Sequence, residues 1–348
     1  MAEPESAANT PPLVTELLQE YGTLTRKRLA RWLPAGQPRA HLYDLVADYP
    51  ARGGKMMRPT LCIAAARAFG ARVEEALDSA VAIELLHNAL LIHDDIEDES
   101  EERRGRPTLH QLHGVPLALN AGDMLILLGL RPLLENIDRL GPRLAKAILL
   151  DAQRMARESA EGQAMELGWR QDNVTDLRDA DYLDMVLKKT CWLATILPSR
   201  IGALIGSRGR APLTPLVRFG FFLGAAFQIQ DDLLNLIADA RYGKERCGDL
   251  YEGKRTLMLL HTYRQAVPDE RVRIDALLAA PRPEKRAEDI AWLRGLMERG
   301  DSIAYARSIA HGLAGAALHE LDVCFGHLPD SRDKRFVHGL VTWVFERI

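Results

Sequence analysis

A long apolar run that ends in a cluster of acidic residues constrains this chain more than any other feature. In residues 85–98, LLHNALLIHDDIED, apolar side chains recur at helical spacing and lead into Asp94, Asp95 and Asp98. Asp94 and Asp98 would share one helix face near the C-terminal end, where the helix dipole disfavours negative charge. A cation must offset these carboxylates, and oxygen ligands without Cys or His suit Mg²⁺ or Mn²⁺ held together with phosphate. A solvated acidic helix end is the alternative that this stretch alone leaves open.

A second stretch repeats this pattern. Residues 227–235, FQIQDDLLN, join an apolar helix to Asp231 and Asp232, and Asn235 follows one turn later. Two acidic helix faces with Arg and Lys nearby are typical of a diphosphate site that contains several metal ions. The amide of Asn235 offers either a neutral oxygen ligand or an orienting hydrogen bond, so direct contact between Asn235 and metal stays open.

Five motifs in order make the chain resemble the trans-isoprenyl diphosphate synthases of the polyprenyl synthetase family, and most of all a geranylgeranyl diphosphate synthase. Along about 53–260 they are GGKMMRP, DDIED followed by RRGRPTLH, KKT, FQIQDD and GKERCGDLYEGKRT. Each motif is weak alone, whereas five in order are highly specific. The resemblance implies an all-α bundle of the isoprenoid synthase type with a central apolar cavity. It also implies condensation of isopentenyl diphosphate with dimethylallyl, geranyl or farnesyl diphosphate to a longer all-trans prenyl diphosphate, with release of diphosphate.

The resemblance further implies a role for individual residues. Three Mg²⁺ per site, replaceable by Mn²⁺, would bridge the leaving diphosphate to Asp94, Asp98 and Asp231, with Asp95, Asp232 and Asn235 as direct or indirect helpers. The isopentenyl diphosphate would bind Lys55, Arg58, His87 and Arg104, and the allylic diphosphate Arg103, Lys189, Lys244 and Lys254. Fixed cations suit a diphosphate that has no metal of its own. Lys189, Thr190 and Gln228 would also lie near the allylic carbons, where their dipoles stabilise a cation.

Several of these residues also have an alternative interpretation that is purely structural. Arg103 and Arg104 are also compatible with a solvated basic loop, and His87 with a buried core histidine. Gln163 and Glu166 occupy helix positions where the family often has Gln and Asp, but a capping or surface pair has the same spacing. We nominate no protein general base, because the released diphosphate can accept the proton.

Product length depends on the residues that close the apolar tunnel. In short-chain members of the family, aromatic residues four and five positions before the first Asp close it early. Here those positions are Leu90 and Ala89, and Leu86 lies one turn deeper. We therefore predict a twenty-carbon product, geranylgeranyl diphosphate, with a longer polyprenyl or a farnesyl product as the alternative. On the next helix, Met124, Leu127 and Leu128 are interpreted first as core positions, with a contribution to the tunnel wall as the additional possibility.

Composition narrows the class of protein. The chain has 348 residues, 47% hydrophobic and 27% charged, and a net charge of −3, which gives no electrostatic case for nucleic acid or a membrane surface. Its four Cys are widely spaced without CxxC, so neither zinc nor a disulfide framework is implied. No stretch approaches about 18 uninterrupted apolar residues, and residues 1–12 lack a secretory signal. We expect a cytoplasmic protein without membrane insertion, and the resemblance suggests a homodimer.

The chain reads as a disordered tail, residues 1–12, followed by one all-helical domain, residues 13–348. Helices are predicted over 13–32, 41–48, 60–69, 73–98, 116–140, 142–167, 179–190, 192–206 and 214–238, and again from 256 to the end. The segments 99–115 and 239–255 read as loops, and no segment alternates as a strand does.

Three other functions are alternatives to the prenyl diphosphate synthase activity that the resemblance implies. A class I terpene cyclase shares an acidic first motif, but its second metal motif has Asn, Ser or Thr, and Glu at wider spacing. A regulatory subunit of a heteromeric prenyl synthase loses one acidic motif, whereas this chain keeps both. The third is a metal-binding helical scaffold without catalysis.

Overall fold

The computed structural model describes residues 12–237 and 246–345, and the regular secondary structure of this part is helical apart from one short hairpin. The helices are α1 (Pro12–Leu29), α2 (Asp44–Ala51), α3 (Met57–Ala68), α4 (Val73–Glu97), α5 (Leu109–His113), α6 (Val115–Leu140), α7 (Pro142–Gln171), α8 (Asp179–Val186), α9 (Leu197–Gly206), α10 (Thr214–Ile237), α11 (Gly248–Glu252), α12 (Leu257–Gln265), α13 (Pro268–Ala279), α14 (Ala287–Arg299), α15 (Ser302–Phe325) and α16 (Arg332–Phe345). Two π-helical segments, Arg39–Tyr43 and Leu187–Ile196, and a 3₁₀ turn, Arg282–Glu284, complete the helical elements. The all-α prediction is confirmed.

The prediction of no sheet is wrong in one loop. Strands β1 (Glu102–Arg103) and β2 (Arg106–Pro107) form an antiparallel hairpin. Its two turn residues, Arg104 and Gly105, have φ values of 56° and 70°, as a type I′ turn requires. Two-residue strands are too short to show alternation in a sequence, and their pairing depends on the turn.

Other differences concern boundaries. The predicted helices 179–190 and 192–206 form α8, the π-helical segment Leu187–Ile196 and α9 in direct succession. Apolar periodicity does not separate these forms, because a π-helix adds only one residue to the turn. The predicted loop 99–115 contains the hairpin and α5, and the predicted loop 239–255 contains α11. Residues 1–11 lie outside the described part, and the division into a tail and one domain stays a prediction.

Helix α4 lies at the centre of the protein. One side packs Ala80 and Ile83 into the main core cluster, and the other packs Leu85 and Ile92 into a smaller cluster with α2 and α6. A helix that is apolar on all sides must be covered on all sides. Burial of α4 therefore carries its acidic C-terminal end into the interior of the protein.

By length and composition, α4 and α6 could each cross a membrane. In α4, however, 78% of the apolar window is buried within the protein, as in the core helix of a globular protein, against 44% in α6. The remaining surface of α6 is an exposed apolar stripe. The cytoplasmic location expected from the sequence stays a prediction.

Candidate active site

Two adjoining cavities contain nearly all of the predicted site residues. The larger, of about 620 Å³, has an apolar wall and lies between α4, α7, α8, the π-helical segment and α10. Its polar lining includes Asp94, Glu97, Arg103, Gln163, Glu166, Lys189, Thr190, Gln228, Asp231, Asp232, Asn235, Asp249 and Lys254. The smaller, of about 320 Å³, is lined by Arg52, Gly54, Lys55, Met56, Met57, Arg58, Glu84, His87, Arg104, Phe227 and Trp343. The predicted ligand Lys244 lies outside the described residues.

The end of α4 is surrounded by cations. Asp94 Oδ1 lies 3.1 Å from Lys189 Nζ, and the Asp98 carboxylate contacts Arg170 Nη1 at 2.5 Å and Lys254 Nζ at 2.8 Å. Burial alone would raise the pKa of Asp98, but Lys254, Lys189 and Arg170 hold that pKa well below its ordinary value. The carboxylate is therefore ionised at neutral pH. Asp98 is nevertheless 1% exposed and does not line the large cavity, so it could reach a metal ion only if Arg170 and Lys254 moved away.

Asp95 faces away from the large cavity and is fully buried. Its Oδ1 accepts a hydrogen bond of 2.9 Å from Arg103 Nε, and its Oδ2 accepts one of 2.5 Å from the Tyr49 hydroxyl. With both oxygens engaged, Asp95 holds Arg103 rather than presenting an oxygen to the cavity. Of the two alternatives left open for Asp95, its position favours the indirect one.

On α10, the second residue of the acidic pair, Asp232, bonds two neutral side chains. Asp232 accepts hydrogen bonds from Tyr182 Oη at 2.8 Å and Gln228 Nε2 at 2.7 Å. Burial and the nearby charge of Asp249 raise the pKa of Asp232 to about 8. A carboxyl group in this position needs a cation to lower its pKa again.

Asn235 stabilises the loop that follows α10. Its Oδ1 accepts a hydrogen bond of 3.1 Å from the backbone N–H of Asp249, and its carbonyl oxygen accepts one of 2.9 Å from Cys247. The structure thereby brings Asp249 to the cavity as a further carboxylate on this side. The sequence analysis missed Asp249, although it lies within the last of the five motifs.

These donors fit a divalent cation with hard character. Asp94, Asp231, Asp232, Asn235 and Asp249 offer only oxygen atoms to the cavity. No three His, Cys, Asp or Glu side chains in residues 12–237 and 246–345 are already assembled as a metal site. Such a set suits Mg²⁺, which usually binds one or two carboxylates together with phosphate oxygens and water.

The π-helical segment brings Lys189 and Thr190 to the cavity together. It packs directly on α7 at Gly162, where a Cβ atom would lie only 2.2 Å from the backbone nitrogen of Lys189. Lys189 bonds Glu166 as well as Asp94, and Thr190 Oγ1 donates to Gln228 Oε1 at 2.9 Å. π-Helical turns are frequent at functional sites.

Gln163 and Glu166 both lie on the cavity wall and are not a surface pair. Gln163 Nε2 donates to Glu97 at 2.6 Å, while the buried Glu166 carboxylate bonds Lys189. The spacing of Gln163 and Glu166 therefore places both side chains on the cavity side of α7, where each bonds another residue of the cavity wall.

The smaller cavity depends on a close approach of two loops. The guanidinium of Arg104 passes over Gly54, where a Cβ atom would lie 2.9 Å from Arg104 Nη2. Arg52 secures the hairpin by donating from Nη1 to the Arg103 carbonyl at 3.1 Å and from Nη2 to the Pro107 carbonyl at 2.9 Å. These contacts hold Arg104 against the loop that contains Lys55.

His87 is not one of the cations with which it was grouped. Burial and the neighbouring Arg58 lower its pKa to about 4, so the imidazole is neutral at physiological pH. Its Nδ1 lies 3.6 Å from Glu84 Oε2. Trp343 on α16 is an unpredicted wall residue, with Lys55 Nζ at 5.6 Å from the centroid of its ring.

Not all predicted tunnel residues line the tunnel. Leu86 and Leu90 line the large cavity, but Ala89 is fully buried in the smaller core cluster. On α6 the wall residue is Ile126, whereas Leu127 is 63% exposed, and Met124 and Leu128 pack with the smaller cluster. The predictions for Ala89 and Leu127 as tunnel residues are therefore wrong, because each points to a different side of its helix.

Comparisons with known proteins agree with this geometry. A family model described as polyprenyl synthetase matches residues 39–295. A short chain isoprenyl diphosphate synthase from Methanothermobacter thermautotrophicus is 30% identical over 96% of this chain and 98% of the relative. A geranylgeranyl pyrophosphate synthase from Geoglobus acetivorans is 30% identical over 96% of this chain and 99% of the relative. The crystal structure of geranylgeranyl pyrophosphate synthetase from Pyrococcus horikoshii matches with a TM-score of 0.84 and 30% identity, covering 97% of this chain and 98% of that one.

The neutral state of His87 predicts a loss of stability in mild acid. Its pKa is about 4 in the folded protein but about 6.5 in an unfolded chain. As the pH falls below the higher value, the unfolded chain takes up a proton that the folded protein excludes, so folding weakens until the lower value is passed. Between pH 7.5 and pH 5 the wild type should lose about 2 kcal/mol more unfolding free energy than His87→Gln.

Denaturant titrations of both proteins at the two pH values measure this difference. His319→Gln, on the exposed surface of α15, is the control for the substitution itself. Equal pH dependence in the wild type and His87→Gln would contradict the neutral assignment.

Proposed function

The chain belongs to the polyprenyl synthetase family and is a trans-prenyltransferase, and from this premise we propose that it makes geranylgeranyl diphosphate. The substrates are isopentenyl diphosphate and an allylic diphosphate. A farnesyl or longer polyprenyl diphosphate is the alternative product.

The main observation in support of this proposal is that the two cavities share a wall. Arg58, His87 and Phe227 line both cavities, so ligands in the two sites would meet there. One cavity has two acidic helix ends and an apolar wall, and the other has three Arg and one Lys around a single Glu. Joining the carbon chains of two prenyl diphosphates requires such an arrangement. The diphosphate group of the allylic substrate must leave its carbon, while the diphosphate group of the second substrate stays bound.

The large cavity would hold the allylic substrate. Asp94, Asp98 and Asp231 would hold Mg²⁺, three ions per site with Mn²⁺ as a substitute, and Mg²⁺ stabilises the negative charge of a leaving diphosphate. Lys189, Lys254 and Arg103 add fixed positive charge to the same group. The allylic C–O bond breaks with its electron pair on the diphosphate, and the remaining carbocation lies near Thr190 and Gln228.

The smaller cavity would hold isopentenyl diphosphate. Lys55, Arg58 and Arg104 bind its diphosphate as cations, and the neutral His87 serves as a hydrogen-bond donor or acceptor. The homoallylic double bond attacks the carbocation, which forms the new C–C bond. A proton is then lost to the released diphosphate, and the lengthened chain extends along Leu90 and Leu86.

The same features weigh against the other functions. A terpene cyclase binds one diphosphate and has no use for a second cationic cavity. A regulatory subunit would lack one acidic pair, whereas Asp94 and Asp231 both line the large cavity.

A homodimer formed through α6 is part of the proposal. The outer face of α6 exposes Leu119, Leu127, Leu130, Leu134 and Ile137 to between 42% and 63% at helical spacing. An apolar stripe of this length marks an interaction surface, and a helix packed on its own copy about a two-fold axis would cover it.

Activity with the purified protein tests the proposed reaction. With Mg²⁺, isopentenyl diphosphate and farnesyl diphosphate, the wild type should release diphosphate and form a prenyl diphosphate, identified by mass spectrometry. Asp94→Ala and Asp231→Ala should each lower kcat by about 10²-fold or more, because their carboxylates act mainly as the leaving group departs. Arg104→Ala should instead raise mainly the KM for isopentenyl diphosphate.

The control is Asp322→Ala, an exposed aspartate on α15, which should retain wild-type kinetics. Near-normal turnover in both cavity variants would refute the metal-site assignment. A cyclised hydrocarbon product would favour the terpene cyclase.

A larger side chain at Leu90 should shorten the product by narrowing the tunnel, whereas a larger side chain at Ala89 should not narrow the tunnel. Leu90→Phe places an aromatic ring in the large cavity and should shorten the product by at least one isoprene unit, which corresponds to about one helical turn, roughly 5.4 Å. Ala89→Phe should mainly lower stability by overpacking the smaller core cluster. Product masses and thermal unfolding of both variants measure these outcomes, and a shorter product from a stably folded Ala89→Phe alone would contradict the wall assignment.

The oligomeric state is checked by sedimentation. The wild type should sediment as a dimer, and the double variant Leu127→Glu, Leu134→Glu as a monomer, because charge in an apolar interface is costly. Val323→Glu changes an equally exposed apolar residue on α15 and should stay dimeric. A monomeric wild type at micromolar concentration would exclude this interface.

A further inference from the structure

Three tyrosines are among the largest fully buried side chains of the described residues, and each donates its hydroxyl to an aspartate. Tyr21 bonds Asp333 at 2.6 Å, and neither residue lines either cavity. Tyr49 and Tyr182 instead bond Asp95 and Asp232, the second aspartate of each acidic pair. The two acidic pairs are thus built alike although their sequences are not related.

Tyr49 acts on Arg103 through Asp95. The tyrosine donates to Asp95 Oδ2, while Arg103 donates from Nε to Oδ1 at 2.9 Å and to Oδ2 at 3.2 Å, and from Nη2 to Oδ1. The Asp95 side chain is 1% exposed, so these two residues provide its hydrogen bonds. The orientation of Asp95 therefore fixes the guanidinium of Arg103, which lines the large cavity.

Tyr182 acts on Gln228 through Asp232. The tyrosine occupies Asp232 Oδ2, and Gln228 Nε2 occupies Oδ1. Gln228 turns its NH₂ group to Asp232 and its carbonyl oxygen to Thr190, which donates to that oxygen at 2.9 Å. The negative end of the amide dipole then lies on the cavity side.

We propose that Tyr49 and Tyr182 are positioning residues that set the second aspartate of each pair, and thereby aim Arg103 at the allylic diphosphate and the Gln228 carbonyl at the allylic carbon. This inference rests on the proposed function. In each acidic pair, the second aspartate would then orient a side chain that binds substrate.

The two tyrosines should affect different kinetic parameters. Arg103 binds a group that is already charged in the ground state, so Tyr49→Phe should raise the KM for the allylic diphosphate about tenfold with a smaller change in kcat. The carbonyl dipole of Gln228 interacts with positive charge only when the C–O bond breaks and the allylic carbon becomes a carbocation. Tyr182→Phe should therefore lower kcat about tenfold and leave both KM values nearly unchanged.

Tyr21→Phe is the matched control, since it removes the hydroxyl of an equally buried tyrosine–aspartate pair. All three variants should lose similar stability in thermal unfolding, while only the two site variants change in kinetics. Calorimetric binding of an unreactive farnesyl thiodiphosphate should weaken with Tyr49→Phe and stay unchanged with Tyr182→Phe and Tyr21→Phe.

A double-variant cycle tests whether Tyr182 acts through Gln228. If it does, Tyr182→Phe should cause little further loss of kcat in a Gln228→Met background. Fully additive losses, an unchanged kcat in Tyr182→Phe, or equal kinetic effects of Tyr21→Phe would each overturn the proposal. An inactive wild type would refute the proposed function and this inference together, whereas an active wild type with unchanged variants would refute this inference alone.

Discussion

The main physical constraint on this structure is the negative charge of the aspartates near the ends of two buried helices, α4 and α10. The acidic C-terminal ends of α4 and α10 meet in one cavity, where the helix dipoles and mutual repulsion both disfavour carboxylates. Cations and hydrogen-bond donors from other elements offset this. Asp98 bonds Arg170 and Lys254, whereas Asp232 bonds Tyr182 and Gln228, which are neutral. An added divalent cation would lower the raised pKa of Asp232.

The groups that stabilise the acids are also the groups that we propose bind substrate. Arg103 neutralises Asp95 and lines the cavity, and Gln228 donates to Asp232 and accepts from Thr190. A single set of bonds thus both lowers the cost of burying carboxylates and orients side chains that line the large cavity. The neighbouring residue Arg104, at the turn of the same hairpin, belongs to the other cavity, so one short loop contributes to both cavities.

Helical periodicity and the residue types of five short motifs were enough to predict an all-α fold and most of the site. Asp94, Asp231, Lys189 and Gln228 line the large cavity, and Lys55, Arg58 and Arg104 the small one. The acids lie in the cavity because a buried helix must carry its terminal residues inward. That the nearby cations bind phosphate groups stays a prediction. The hairpin and the π-helical segment were missed, since both depend on backbone geometry that apolar spacing does not record.

The sequence by itself determined which chemical groups are present and which share an element, because composition and helical period are local properties of the chain. Only the tertiary structure decided which way each group points and what it meets. Asp95 and Ala89 turn away from the large cavity, His87 is neutral beside Arg58, and Asp249 joins the acids of α10. Burial, hydrogen bonding and nearby charge set these outcomes, and all three come from residues that are distant in the chain and close in space.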